Sequence, residues 1–151
     1  MYNIHTINQH IFQNVGYKME KSSELYAKAK NCRDSAYAPY SNFKVGAAIL
    51  TNTNKIYTGC NVENASYPCG TCAEAGAISA MIAGGDKQIK QILIVAETAN
   101  ILPCGNCLQK IAEFAAPNTI IYSADLQGNM RTYTLQDLLP HSFSLNEAGN
   151  A

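Results

Sequence analysis

Tryptophan is missing from the 151 residues, histidine occurs three times, and charged side chains make up only 15% of the chain. The eleven acids and eleven bases cancel, leaving no formal net charge. A protein that tracks a nucleic-acid backbone carries a basic stripe. The scattered cations here argue against a polynucleotide partner and for a small, weakly charged substrate. No apolar run approaches the ~20 residues that span a bilayer, so no membrane partner is expected. Met1 to Thr6 shows no basic segment followed by an apolar one, which speaks against a secretory signal. A cytoplasmic location follows as the expectation, with the six cysteines kept reduced. Low-complexity tracts and internal repeats are missing as well. With 47% hydrophobic residues the composition is that of one globular domain. Residues 1–18, polar and aperiodic, read as an N-terminal arm, and residues 19–151 as the domain.

What is present alternates in period. Leu25, Ala29, Cys32 and Ala36 recur at helical spacing, with Ser22 or Ser23 as possible N-cap, and Pro39 ends the run. Val45 to Leu50 and Lys55 to Val62 read as a hairpin around Asn52-Thr53-Asn54. Asn61 to Gly70 is a polar loop. A second helix starts at Gly70 or Thr71, with Ala73, Ala77, Ile78, Met81 and Ile82 inward, and stops at Gly84-Gly85. Ile89 to Ala96 is apolar enough for a central strand. A third helix opens after Pro103 with Leu108, Ile111, Ala112 and Ala115 on one face, and Pro117 closes it. Thr119 to Ser123 and Met130 to Tyr133 are two further strands, and Leu135 to Leu139 a last helical turn. The fold class predicted is α/β, a three-layer α-β-α sandwich with a central five-stranded mixed sheet.

The chemistry concentrates in Cys69-Gly70-Thr71-Cys72-Ala73-Glu74 and Pro103-Cys104-Gly105-Asn106-Cys107. Cys104 and Cys107 share a helix face at i, i+3, in a first turn whose dipole and free N–H groups favour the thiolate form. Cys72 occupies the matching place on the second helix. Three thiolates with an open fourth position are the pattern of a hydrolytic zinc site, and Glu74 is near enough in sequence to handle a proton there. Other readings stand beside this one. Cys69 could join the other three in a closed Cys₄ zinc site, although its 31-residue central spacer exceeds the ~15–20 usual for such sites. A thioredoxin-like redox pair lacks its context. Cys32 and Cys60 read as core thiols, and His5, His10 and His141 as surface residues.

Ala36-Tyr37-Ala38-Pro39-Tyr40-Ser41-Asn42-Phe43-Lys44-Val45-Gly46-Ala47-Ala48 resembles the A-Y-x-P-Y-S-x-F-x-V-G-A-A segment of cytidine deaminases. Gly59-Cys60-Asn61-Val62-Glu63-Asn64-Ala65-Ser66-Tyr67-Pro68 is similar to their G-C-N-x-E-N-A-x-Y-P loop. Both cysteine motifs match, as does Leu138-Leu139-Pro140-His141-Ser142-Phe143. The resemblance runs from about Ser22 to Phe143 and points to the small homotetrameric, three-cysteine branch. It implies that Cys72, Cys104 and Cys107 bind Zn²⁺ and that Glu74 shuttles protons while cytidine or deoxycytidine is deaminated by water to uridine or deoxyuridine and ammonia, a pyrimidine-salvage reaction. It implies substrate contacts from Phe43, Asn61, Glu63, Ala65, Tyr67, Ala73 and Phe143. Asn61 and Glu63 would hold the ribose 3′-hydroxyl, and Ala65, Tyr67 and Phe143 would reach a neighbouring subunit's pocket. Members of the family usually carry arginine directly after the catalytic glutamate and after the last cysteine. Here those positions are Ala75 and Leu108. A related aminohydrolase acting on a blasticidin-type or N4-substituted nucleoside, and a non-catalytic Cys₄ zinc protein, are the alternatives.

Overall fold

Gly46–Thr51, six consecutive buried residues, forms β1, and a strand with no exposed face needs cover on both sides. The computed structural model, which describes residues 21–98 and 100–145, supplies that cover. α1 (residues 21–34) lies on one face of the sheet. α2 (Ala73–Ala83), α3 (Gly105–Phe114) and the short α4 (Leu135–Leu138) lie on the other. The remaining strands are β2 (Ile56–Cys60), β3 (Ile89–Val95), β4 (Ala115–Ala124) and β5 (Met130–Thr134). The order across the sheet is β2-β1-β3-β4-β5, with only β3 and β4 parallel. This is the three-layer mixed sandwich expected, with β3 at its centre. The predicted N-terminal arm, with His5 and His10, lies outside the described residues.

Two cores follow from strand alternation. Ala47, Ile49, Ile92, Ile94 and Ile121 face α2 and α3, while Ala48, Leu50, Leu93, Val95 and Tyr122 face Leu25 and Ala29 of α1. Two glycines let the helices approach. A Cβ on Gly46 would stand 2.1 Å from the Ala29 carbonyl oxygen of α1, and one on Gly59 2.2 Å from the Ala77 nitrogen of α2. No helix among the described residues is long and apolar enough to cross a membrane.

Several expected details are corrected. α1 is already helical at residue 21, so neither Ser22 nor Ser23 is its N-cap. α2 begins at Ala73, with Cys72 as its N-cap, rather than at Gly70 or Thr71. Ile82 is 40% exposed instead of inward. At about 100° per residue it falls half a turn from Ala73, at the edge of the buried arc. α3 stops at Phe114, and Ala115 opens β4, so Pro117 does not end the helix but sits inside a strand. Ile89 pairs with Ala115 and Gln91 with Ile120, so β4 carries extra residues between those pairs. Pro117 occupies that irregular stretch, where no ladder N–H is required of it. Cys32 and Cys60 are half-buried rather than core thiols. His141 is exposed, as expected.

Candidate metal and nucleoside site

Cys72 is the N-cap of α2 and Cys104 the N-cap of α3, both in extended backbone conformation, with Cys107 in the first turn of α3. The Cys72 and Cys104 carbonyls accept the first helical bonds from Gly76 and Leu108. The two helix N-termini therefore converge, and the three sulfurs lie within 4.8 Å of one another. Helix ends of this kind carry partial positive charge and N–H groups without helical partners, which favours thiolate. Cys69, in the 3-10 turn Tyr67–Cys69, is exposed and does not belong to the cluster. The donor set is thus three sulfurs, not four.

The electrostatics are those of a donor set short of positive charge. Burial pushes the Cys107 thiol far up, with the Glu74 carboxylate and Cys72 adding to it. Burial also raises Cys72, with a further contribution from the Glu74 charge. At Cys104 burial acts upwards too, but the Cys107 amide and the Cys107 and Cys72 thiols outweigh it and bring the thiol below its ordinary value. A soft divalent cation would offset the cost of burying these sulfurs as thiolates, and thiolates select such ions. Glu74 is only 5% exposed, and burial raises its carboxyl pKa against the pull of its own backbone, the Cys107 thiol and Lys110.

Beside the cluster opens a cavity of about 490 Å³, lined by Tyr40, Asn61, Glu63, Tyr67 and Cys72 among others. The backbone around it is held from both sides. Tyr37 N–H donates to Asn61 O and Glu63 N–H to Tyr37 O, while Val62 and Thr71 exchange two bonds. The Asn61 side chain accepts from Val45 N–H at 2.8 Å and donates to Phe43 O at 2.9 Å. Of the residues expected to touch substrate, Asn61, Glu63 and Tyr67 line this cavity with Cys72. Phe43, Ala65 and Phe143 do not line it, and Ala73, the first residue of α2, is fully buried in the core. Phe143 is 67% exposed, yet its backbone is fixed. Gln109 of α3 accepts from its N–H at 3.1 Å and donates to its carbonyl at 3.0 Å.

Two residues escape the sequence reading. Ser41 donates to Glu63, and Gln109 grips Phe143. The serine had a local signal, since it follows Pro39-Tyr40 in a turn where hydroxyls bond the backbone two residues on. Gln109 had none, because its partner lies 34 residues away.

Comparison with known proteins agrees with this geometry. A cytidine deaminase of Sporosarcina psychrophila is 40% identical over 129 residues, 85% of this chain and 95% of that one. One of Halalkalibacterium halodurans is 38% identical over 82% of this chain and 94% of its own. The crystal structure of cytidine deaminase from Burkholderia pseudomallei superposes with a TM-score of 0.77 at 44% identity, over 80% of this chain and 98% of that one. That from Mycobacterium tuberculosis superposes at 0.71 and 34%, over 82% and 97%. Residues 19–123 match the cytidine and deoxycytidylate deaminase zinc-binding region, and the chain belongs to the cytidine deaminase family.

Proposed function

We propose that the protein is a zinc-dependent hydrolase that converts cytidine or deoxycytidine and water into the uracil nucleoside and ammonia. The observation that carries this is the meeting of three sulfurs within 4.8 Å and a buried carboxyl, Glu74, beside a cavity of nucleoside size. The donor set fits zinc in both kind and number: three soft ligands on two rigid helix ends leave one position open. Bound zinc would supply electrophilic activation of the water that the reaction consumes. The residues of the chain do the rest. Glu74 takes one proton from the water and passes it to ring N3, then takes the second from the hydroxyl newly bonded to C4 and delivers it to the departing amine, so that the C4 carbonyl forms as ammonia leaves. Burial suits it to this task, since a raised carboxyl pKa brings it closer to the operating pH. Asn61 and Glu63, which line the cavity, offer a donor and an acceptor to the ribose 3′-hydroxyl. A closed Cys₄ site is not favoured, because the Cys69 thiol stands outside the cluster.

The same reading makes the protein a homotetramer in which Ala65, Tyr67 and Phe143 complete a neighbour's pocket. The exposure of Tyr67 (81%) and Phe143 supports this, since large apolar side chains left out of a chain's own core suit an interface. All six cysteines are free thiols, which suits a reducing cytoplasm and a salvage role there. The decisive experiment is a panel of cytidine, deoxycytidine and N4-substituted nucleosides followed by absorbance loss, with zinc counted per chain. About one zinc per chain and turnover of the first two are expected. Turnover of none, or four sulfur neighbours in X-ray absorption, would overturn the proposal.

A further inference from the structure

Glu63 enters the cavity with most of its acceptor capacity already taken. Its Oε2 accepts from the backbone N–H of Tyr40 at 2.8 Å and of Ser41 at 3.2 Å, and its Oε1 accepts from the Ser41 hydroxyl. The direction of that hydroxyl is set from behind. Phe43 N–H donates to Ser41 Oγ at 3.0 Å, which leaves the Oγ proton for Glu63. The chain can turn back this tightly because Asn42 takes a φ of 55°, a conformation asparagine tolerates. These donors, the Ser41 hydroxyl foremost, hold the Glu63 carboxyl below its usual range, so it remains an anionic acceptor.

A carboxylate offers about four lone-pair positions. Three are taken, both on Oε2 and one on Oε1. The position left over is on Oε1, the oxygen gripped by Ser41. Asn61 lines the same cavity, and its amide accepts from Val45 N–H at Oδ1 and gives one N–H to Phe43 O, which leaves one N–H to spare. One spare acceptor and one spare donor on the lining of one cavity match a single hydroxyl, which gives one hydrogen bond and receives another. We propose that Ser41 is a positioning residue for sugar recognition: it fixes Glu63 so that the remaining acceptor site on Oε1 receives one sugar hydroxyl, with Asn61 donating to the same oxygen. The proposal deepens the function given above and rests on its assignment of Asn61 and Glu63 to the ribose 3′-hydroxyl.

The test uses the zinc-loaded enzyme with cytidine and with 3′-deoxycytidine, and binding by calorimetry alongside kinetics. Ser41→Thr and Ser41→Val have the same shape and differ in the hydroxyl. Ser41→Val is expected to raise KM for cytidine about tenfold relative to Ser41→Thr, with kcat little changed. For 3′-deoxycytidine the two variants should match. In a Glu63→Ala background, Ser41→Val should add nothing. Equal losses with both nucleosides, an additive effect on Glu63→Ala, or a cytidine KM equal in Thr and Val variants would each overturn the role of Ser41. A Glu63→Ala enzyme with unchanged KM for cytidine would instead overturn the sugar-contact assignment itself.

Discussion

Glu74 is a polar residue in the middle of an apolar arc. At about 100° per residue it falls between Ala77 and Met81 on one side and Ile78 on the other, all buried under α2. A carboxyl in that place stabilises nothing by being there, which is itself a reason to assign it chemistry. Glu74→Gln preserves shape while removing the ionisable group. It is expected to keep fold and metal content and to lose roughly 10²–10⁴-fold in turnover, read by single-substrate kinetics with metal analysis. The two positions that depart from the family's usual arginines behave differently. Leu108 is buried against the core shared with Ile111, whereas Ala75 is half-exposed. Leu108→Arg would bury an unpaired charge and should cost several kcal/mol in urea denaturation, whereas Ala75→Arg should be tolerated within about 1 kcal/mol. The convergence of Cys72, Cys104 and Cys107 was legible in sequence because C-x-E and P-C-x-x-C put the thiols at the starts of two helices. The Ser41–Glu63 bond was not, since it spans 22 residues and depends on how the 38–45 loop folds back.

The element that places Cys72 and Glu74 is α2, and its seat depends on β2. Gly59 carries no side chain, and a Cβ there would lie 2.2 Å from Ala77 N and 2.4 Å from Ala73 O. Both are backbone atoms of α2, so the helix itself would have to move, carrying Cys72 and Glu74 with it. Gly59→Ala should therefore destabilise by about 1–3 kcal/mol in urea melts and weaken metal retention. At its other end, α2 is tied to the β1–β2 turn through Asp86. Its carboxylate accepts from Tyr57 at 2.8 Å, Thr53 at 2.9 Å and Thr51 at 3.4 Å, with Lys55 at 3.8 Å. Burial alone would raise its pKa, but these partners together hold it below the usual aspartate value. A depressed folded-state pKa contributes stability above the unfolded value of about 3.9, and that stability is lost as pH falls through the folded one. Thermal midpoints should accordingly drop below about pH 4, and Asp86→Asn should lose less than the parent over that interval. Helices and strands with clean periodicity were read correctly in kind and order. β4 was read too short because Pro117 ordinarily closes an element, and nothing local announces the irregular pairing that accommodates it.

The homotetramer proposed above would let a neighbouring chain contribute to the site. The sulfur cluster, Glu74, Asn61 and Glu63 come from one protomer, but Phe143 does not line the cavity and stands 67% exposed. Gln109 holds the Phe143 backbone with two hydrogen bonds, so the ring is presented outwards in a fixed place. Tyr37, Tyr40, Val62 and Tyr67 are exposed too, three of them on the segments around the cavity mouth. An apolar rim and an outward aromatic on the same chain would suit the two halves of an interface that closes by symmetry, as the proposed homotetramer requires. Light scattering should give four times the chain mass of 16.4 kDa. Sites shared between chains, as proposed, would have a sharper consequence. Glu74→Gln chains lack the proton shuttle but present Phe143, and Phe143→Ala chains lack the ring but carry Glu74. Each variant alone should be poorly active. Co-expressed, some sites would draw Glu74 from one chain and Phe143 from its neighbour, and activity should rise well above the mean of the two variants. Activity equal to that mean, in mixed oligomers verified by mass, would place Phe143 outside its neighbour's site and confine catalysis to one chain.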